Sequence, residues 1–209
     1  MFANRTEAGA QLAKKLSSYS RDKGVVVLGI PRGGVAVAKE ISTALHLPLS
    51  VLVIRKLGAP SNPELAIGAV ANDGKPVWNT PVLEHLRVSE TYPREELARQ
   101  LVQVRRRMQL FGLSNRFPVH DKLIILVDDG IATGATVKAA ISILRKQKVK
   151  KIVLAVPVCS GETAVELAAL VDEFVCLERP TRFEAVGEFY EDFRQVSDAD
   201  VKALLNQAG

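Results

Sequence analysis

Apolar and polar positions alternate in blocks along the first fifty residues of the chain. The run GVVVLGI, at 24–30, is short, uninterrupted and rich in β-branched side chains, which is typical of a strand buried on both faces. The next segment, GGVAVAKEISTALHL, spaces its apolar side chains from Val35 to Leu45 as a helix that packs on a sheet does. A second apolar run, LSVLVI at 49–54, predicts another buried strand. Together these segments predict a βαβ unit.

The same alternation returns after residue 122. Three apolar runs predict strands and two amphipathic segments between them predict helices: LIILV, ATVKAAISILRKQ, KIVLAVPVC, GETAVELAALV and EFVCL, in chain order. Because helices of about a dozen residues separate the strands, most of the sheet should be parallel, with helices on both faces. The predicted fold is therefore α/β: a three-layer α/β/α domain with a mostly parallel central sheet.

The middle of the chain departs from this pattern. Residues 65–78, LAIGAVANDGKPVW, predict two short strands joined around Asn72-Asp73-Gly74, because Asp and Gly tolerate positive φ. Residues 89–112, SETYPREELARQLVQVRRRMQLFG, carry a capping Ser or Thr, acids near the start, basic residues near the end and a closing glycine, and predict a long helix. Its cluster Arg105–Arg107 is typical of a solvated helix face; the alternative is contact with a ligand phosphate.

Length and composition indicate one globular unit. With 209 residues, of which 47% are hydrophobic, the chain can bury one sizeable core. Cys159 and Cys176 lie far apart, with no paired or clustered partners, so neither a disulfide framework nor a zinc site is indicated. No segment resembles a signal peptide or reaches the apolar length of a membrane span, so we expect no membrane association and a cytoplasmic protein.

The formal net charge of +5 raises the question of a nucleic-acid partner. Residues 76–120 carry seven Lys/Arg against four Asp/Glu, whereas residues 181–209 carry three against six, which gives a basic middle and an acidic tail. Aromatic residues make up only 5% of the chain and form no RNA-binding signature, so the sequence does not indicate a nucleic-acid partner. A small, highly phosphorylated ligand suits the charge equally well.

The strongest chemical signal is LIILVDDGIATGAT, at 123–136. Gly130 and Gly134 permit positive φ and two alanines keep side chains away, so several backbone N–H groups can point into one hollow at the start of the next helix. That arrangement suits a phosphate, but it has neither the lysine of a Walker A loop nor the GxGxxG spacing. Asp128 and Asp129 cannot meet the phosphate; they can accept hydrogen bonds from a vicinal diol or lie near a shared divalent cation. A sugar phosphate such as ribose 5-phosphate satisfies both halves of the segment.

The acid pair has two other interpretations. The acids can cap the following helix, although one acid suffices for a cap. ILVDD also resembles the acidic opening of a receiver domain, but too little chain follows Asp129 for the rest of that fold. Burial of the acids in an internal ion pair, or a loop whose amides bond elsewhere, would contradict the sugar phosphate interpretation.

The segment resembles the phosphoribosyl pyrophosphate (PRPP) motif of the type I phosphoribosyltransferases, and the chain is identified as a member of undefined acceptor. The resemblance implies a pentosyltransferase of nucleotide metabolism that depends on Mg²⁺. Asp128 and Asp129 would contact the ribose hydroxyls and, directly or through water and substrate, the metal ion. The 5-phosphate loop would comprise Ala132, Thr133, Gly134, Ala135 and Thr136.

A second loop, GIPRGG at 29–34, resembles the pyrophosphate loop of that family. Gly33 and Gly34 let the backbone approach an anion, and Arg32 supplies a forked, permanently charged donor beside Pro31. Residues 55–64, RKLGAPSNPE, resemble the segment that leads into a mobile loop over PRPP. Arg55 would then bind pyrophosphate, and Lys56 would act with Arg32, Asp128 and Asp129 in catalysis; a surface cation pair is the alternative.

The acceptor follows only from a looser resemblance. Purine enzymes of the family carry an acid three positions after the acid pair, where this chain has Ala132. The segment RPTRFEAVGEFYEDF resembles their hood, with Phe183 stacking on a heterocyclic acceptor and with Val186 and Gly187 in contact with it. Phe183 is equally consistent with core packing. The acid of that segment would be Glu191 or Asp192.

The resemblance implies one domain, 1–209, with an insertion at about 76–120, a hood at about 178–209 and a homodimeric assembly. The expected reaction is attack of a nucleobase-like nitrogen on PRPP, which releases pyrophosphate. The alternative is a regulatory protein that keeps the fold and senses PRPP or a nucleotide with little catalysis. Retention of PRGG favours the enzyme, because a sensor of ribose phosphate has less need of a site for a leaving group.

Overall fold

The computed structural model describes residues 1–60, 62–63, 65–86, 88–89, 91–113 and 119–207. Seven helices are described: α1 Arg5–Lys15, α2 Gly33–Leu45, α3 Thr80–Leu86, α4 Tyr92–Leu110, α5 Ala135–Lys146, α6 Gly161–Ala168 and α7 Asp198–Asn206. Eight strands accompany them: β1 Val25–Gly29, β2 Leu49–Val51, β3 Arg55–Gly58, β4 Ala66–Val70, β5 Val77–Trp78, β6 Leu123–Val127, β7 Lys151–Val158 and β8 Glu173–Glu178. None of the helices in these ranges has the length and apolar character needed to cross a bilayer.

The central sheet has five strands in the order β2, β1, β6, β7, β8, and every neighbouring pair is parallel. In register, Gly29 of β1 lies beside Val51 of β2 and Val127 of β6. The carboxyl ends of these strands therefore open at one edge, which is where open α/β sheets bind ligands. Both loops singled out in the sequence, 29–34 and 128–136, begin at this edge.

Helices cover both faces of the sheet, as the apolar runs predict. Val27 and Ile125 point to the face covered by α1 and α2. Leu28 and Leu126, one position along, point to the face covered by α5 and α6. This strict alternation of faces explains why the strands are apolar throughout, since both sides of each strand are buried.

The middle of the chain forms a separate antiparallel sheet in the order β3, β4, β5, over which α4 packs. The predicted turn lies between β4 and β5, with Gly74 at φ +71°, and Gly112 follows α4 at φ +70°. The prediction for 49–54 is too long, because β2 ends at Val51 and the chain then turns into the second sheet. The predicted side-chain cap of α4 is absent at Thr91, which is itself helical. Parts of the predicted segments, at 61, 64, 87, 90, 114–118 and 208–209, lie outside the described residues.

The two cysteines give a prediction about reactivity. Both are free, Cys159 is fully buried, and burial raises its pKa to about 12. Burial also raises the pKa of Cys176. Because the thiolate is the nucleophile, we expect Cys159 to resist iodoacetamide at pH 8 in the native chain and to react after unfolding in urea. Mass spectrometry of the alkylated chain checks this, and rapid native alkylation of Cys159 would contradict its burial.

Candidate functional site

The two glycine-rich loops meet at the carboxyl edge of the sheet. The amide of Ile30 donates to the carbonyl of Val127 at 2.8 Å, which ties the end of β1 to the end of β6. A Cβ placed on Gly34 would lie 2.7 Å from that same carbonyl oxygen and 2.8 Å from the Cα of Asp128. Only a residue without a side chain permits this approach, so the PRGG segment and the acid pair share one site. The Pro31–Arg32 peptide bond is cis.

The loop after β6 presents unused backbone donors. Within the described part of the chain, none of the six amides from 132 to 137 donates a backbone hydrogen bond. Gly134 adopts φ +71° and precedes α5, so the first amides of that helix extend the set. Of the two loop glycines, Gly134 adopts positive φ and Gly130 does not. The loop lines a hollow of about 200 Å³, with Asp128 and Val186 also in its wall.

The outer side of this loop is held in place by α6. Ser160 and Thr163 both donate their hydroxyls to the carbonyl of Ala132, at 3.0 and 2.7 Å. The amide of Ile131 donates to the carbonyl of Val158 at 3.0 Å. Because the carbonyls bond outwards, the free N–H groups are left to the hollow, which is the arrangement of an anion site at a helix N-terminus.

The two acids differ in their surroundings. Asp128 Oδ1 accepts from the amide of Asp129 at 3.0 Å. Burial raises the pKa of the Asp128 carboxyl well above its usual range, and the neighbouring Asp129 charge raises it further. No ion pair to Asp128 is present among the described residues. Its second oxygen remains available to a ligand.

Asp129, by contrast, forms an ion pair with a residue far away in the sequence. Arg5 Nε lies 2.7 Å from Asp129 Oδ2, and the two side chains are only 11% and 16% exposed. Arg5 also donates from Nη1 to the carbonyl of Arg194 at 2.9 Å and lies 3.9 Å from the ring centroid of Phe193. Asp129 therefore meets one condition that would contradict the sugar phosphate interpretation, whereas Asp128, with no ion pair among the described residues, and the unbonded loop amides do not. The pair occupies one of the two carboxylate oxygens of Asp129.

The C-terminal segment closes over the same edge. Val186 lies so near Gly130 that a Cβ there would come within 2.3 Å of its methyl group. Tyr190 donates its hydroxyl to the carbonyl of Asp129 at 2.6 Å. Phe2 is also tied to this segment, through its amide to the carbonyl of Phe189 at 2.8 Å. Nothing in the local sequence signals these contacts, since they join residues far apart in the chain.

The remaining predicted residues lie in different places. Arg55 donates from Nε to Gln100 of α4 at 3.0 Å, and so points towards that helix. Lys56, next to it on β3, is exposed. The ring of Phe183 stacks on Phe189 at a centroid distance of 5.3 Å. None of these three side chains lines the 200 Å³ hollow.

The contact between the loops gives a sharp test. A Cβ on Gly33 would lie 1.8 Å from Asp129 Oδ2 and 3.0 Å from Arg5 Nε. We expect Gly33→Ala to displace the ion pair, to lower the free energy of unfolding by about 2 kcal/mol and to weaken PRPP binding at least tenfold. Urea unfolding and calorimetry measure both effects.

Gly161→Ala is the matched control for that variant. A Cβ there meets nothing within 4 Å, and Ala favours the first turn of α6, so stability should be unchanged or slightly higher. Equal unfolding free energies and PRPP affinities of the two variants would show that the close approach at Gly33 contributes to neither.

A parallel sheet of this topology, with the anion hollow and the acid pair at its carboxyl edge, places the chain in the phosphoribosyltransferase class. The family model described as phosphoribosyl transferase domain matches residues 3–194, and the chain belongs to that family. The predicted family and fold class are thereby confirmed.

Several relatives agree with this assignment. The chain is 44% identical over 209 residues to Rv0571c of Mycobacterium tuberculosis, whose name carries phosphoribosyl transferase as a provisional designation. It covers 47% of that protein, so it spans about half the length of the curated relatives it matches. The crystal structure of TT1426 from Thermus thermophilus is 40% identical, with a TM-score of 0.89 over 99% of this chain and 98% of that one. A hypoxanthine-guanine phosphoribosyltransferase from Bacillus anthracis shares the fold, at 13% identity and a TM-score of 0.50 over 90% and 88% of the two chains.

Proposed function

We propose that the chain transfers the 5-phosphoribosyl group from PRPP to a nucleobase-like nitrogen acceptor and releases pyrophosphate. One observation carries the proposal: the unbonded amides of residues 132–137 form a hollow whose wall includes Asp128. A phosphate at the amides and hydroxyls at the acid match the two ends of a ribose 5-phosphate. Holding both ends fixes the anomeric carbon between them.

The state of the acids suits a diol. One oxygen of each is engaged inside the protein, Asp128 Oδ1 by an amide and Asp129 Oδ2 by Arg5. The other oxygen of each acid is left to accept from one hydroxyl. The two acids together therefore match the two hydroxyls of a vicinal diol. In this proposal Thr133, Ala135 and Thr136 complete the phosphate loop with Ala132 and Gly134.

The pyrophosphate end of PRPP is assigned to the second loop. Gly33 and Gly34 give an anion access to the backbone, while Arg32 and Lys56 supply positive charge. Arg55 can contribute there only if its bond to Gln100 breaks. The bond from the anomeric carbon to pyrophosphate breaks as the bond to the acceptor nitrogen forms, and the protein stabilises the charge that develops on the leaving oxygen.

Mg²⁺ fits this donor set. Magnesium in proteins takes one or two carboxylates and completes its shell with water and substrate phosphates. Asp128 and Asp129 are such carboxylates, and no larger cluster of metal-binding side chains exists among the described residues. When bound, the ion supplies neutralisation of charge on the phosphates.

The acceptor is assigned to the side of the site that the hood covers. Val186 already lines the hollow, and Gly187 follows it in the same short turn. Phe183 can stack on a heterocycle only with the ring face that Phe189 does not cover. The single domain with an insertion at 76–120 and a hood at 178–209, the homodimer and the cytoplasmic location belong to the same proposal.

The proposal is tested by pyrophosphate release from PRPP and Mg²⁺ over a panel of purines, pyrimidines and other nitrogen heterocycles. We expect at least one acceptor to release pyrophosphate well above the rate of the Asp128→Asn variant. Release that is equal in both proteins, or absent with every acceptor, would contradict the enzyme. Tight PRPP binding without release would instead support the regulatory alternative.

A further inference from the structure

The arginine cluster near the end of α4 has no role in the proposed reaction. Arg106 and Arg107 line a hollow of about 260 Å³ that also takes in Arg55 and Asp198. Gln103 and Leu110 also line it. We propose that this hollow, the arginine basin, is a second binding site that takes an oligophosphate anion.

The charge of the basin is only weakly compensated. Arg107 Nη2 lies 3.9 Å from Asp198 Oδ1, too far for a hydrogen bond, and among the described residues this carboxylate is the one acid in the lining. The guanidinium groups of Arg106 and Arg107 donate no hydrogen bond within the described ranges of the chain. Three guanidinium groups therefore face a single acid, which leaves a net charge of about +2 in the hollow.

The third arginine, Arg55, is held in place by a hydrogen bond to α4. Arg55 Nε donates to Gln100, whose own amide donates to Glu96 at 2.9 Å. Glu96 is buried, and it pairs with Arg99 at 2.9 Å instead of with Arg55. The bond to Gln100 uses only one of the five N–H groups of the Arg55 guanidinium and leaves its positive charge in the lining.

The shape and chemistry select the class of ligand. Guanidinium forks match the oxygens of phosphoryl groups in pairs, and three of them around one hollow favour a ligand with several linked phosphates. The volume is several times the ~30 Å³ of one water molecule, so a hydrated ion or a short chain of phosphates fits. In the part of the chain that the structure describes, no aromatic side chain lines the basin for stacking, which argues against a single nucleic-acid strand.

Calorimetric titration of inorganic tripolyphosphate into the full chain at low ionic strength tests the site. We expect Arg106→Gln with Arg107→Gln to weaken binding by about tenfold or more. Arg94→Gln with Arg105→Gln removes two charges from the same helix without touching the basin, and binding should change less than about threefold. Asp198→Asn should tighten binding, because it removes the opposing charge.

The two double variants and the unmodified chain together decide whether the basin binds the anion. Equal loss in both double variants, or no binding to the unmodified chain, overturns the site. Competition arms identify the source of the phosphates: a nucleoside triphosphate that binds more tightly than tripolyphosphate indicates a nucleotide, and equal affinity indicates an inorganic chain. A short DNA duplex is titrated in the same way. Tighter binding than that of either phosphate ligand, with an equal loss of DNA affinity in both double variants, overturns the proposal in favour of a nucleic-acid surface. The Arg106→Gln, Arg107→Gln variant should release pyrophosphate from PRPP as the unmodified chain does, so failure of the transferase proposal remains distinguishable.

Discussion

Asp128→Asn is expected to weaken Mg²⁺-dependent PRPP binding at least tenfold without lowering the melting temperature. The substitution keeps the shape of the side chain but replaces a ligand acceptor oxygen by an amide. It also removes a charge that burial disfavours, since burial raises the pKa of the Asp128 carboxyl. Calorimetry with PRPP and a thermal unfolding curve measure the two effects. Unchanged PRPP affinity would remove Asp128 from the site.

The stability effect of this variant should depend on pH in a defined direction. A carboxyl pKa that is higher in the folded chain than the ~3.9 of an unfolded Asp means that ionisation costs stability as the pH rises between the two values. Below about pH 4 the carboxyl is protonated in both states, so Asn offers no advantage there. The advantage of Asn should appear above that pH and persist at neutral pH. A difference that is constant with pH would show that the buried charge is not its cause.

Arg5→Ala is expected to lower the free energy of unfolding by about 2–3 kcal/mol and to weaken PRPP binding as well. The ion pair with Asp129 is neither fully buried nor exposed, with 11% and 16% of the side chains accessible. Removal of Arg5 leaves that carboxylate without its partner and frees the carbonyl of Arg194 from its bond to the guanidinium. Urea unfolding reports the first effect, and calorimetry the second.

Two further variants separate the ion pair from general damage to α1. Lys14→Ala removes an exposed charge from the same helix and should change stability by no more than about 0.5 kcal/mol. Arg5→Lys keeps the charge but loses the fork that serves Asp129 and the Arg194 carbonyl together, so it should recover only part of the loss. If Arg5→Ala were as mild as Lys14→Ala, the ion pair would contribute nothing measurable.

The central sheet and its two loops were predictable because their signals are local. Apolar runs such as 123–127 define strands wherever they are buried on both faces, and a glycine-rich turn directly after a strand fixes where the ligand edge lies. That both loops open at the carboxyl edge follows from the parallel arrangement of the strands, whereas the pairing of β1 with β6 is not given by any local signal. The role of Gly130 could not be predicted, because it depends on Val186, which is distant in sequence.

The contacts that the sequence analysis missed are tertiary. Arg5 lies 124 positions before Asp129, and its own helix is merely amphipathic. The helix α7 was not predicted, although Ser197 and Asp200 form a capping box there, a local signal that could have revealed it. Arg55 lies at the start of the segment predicted to lead into a mobile loop, but its hydrogen bond to Gln100 holds its side chain in the lining of the arginine basin.

The bonds from Ser160 and Thr163 to the carbonyl of Ala132 have a practical consequence for solution work. Since the donors of the phosphate loop stand ready before any ligand arrives, an incoming anion is spared the entropic penalty of organising them. Small tetrahedral ions gain from this as much as a sugar phosphate does. Buffers that contain phosphate or sulfate would therefore compete for the loop and conceal weak substrates, and assays are best run in their absence.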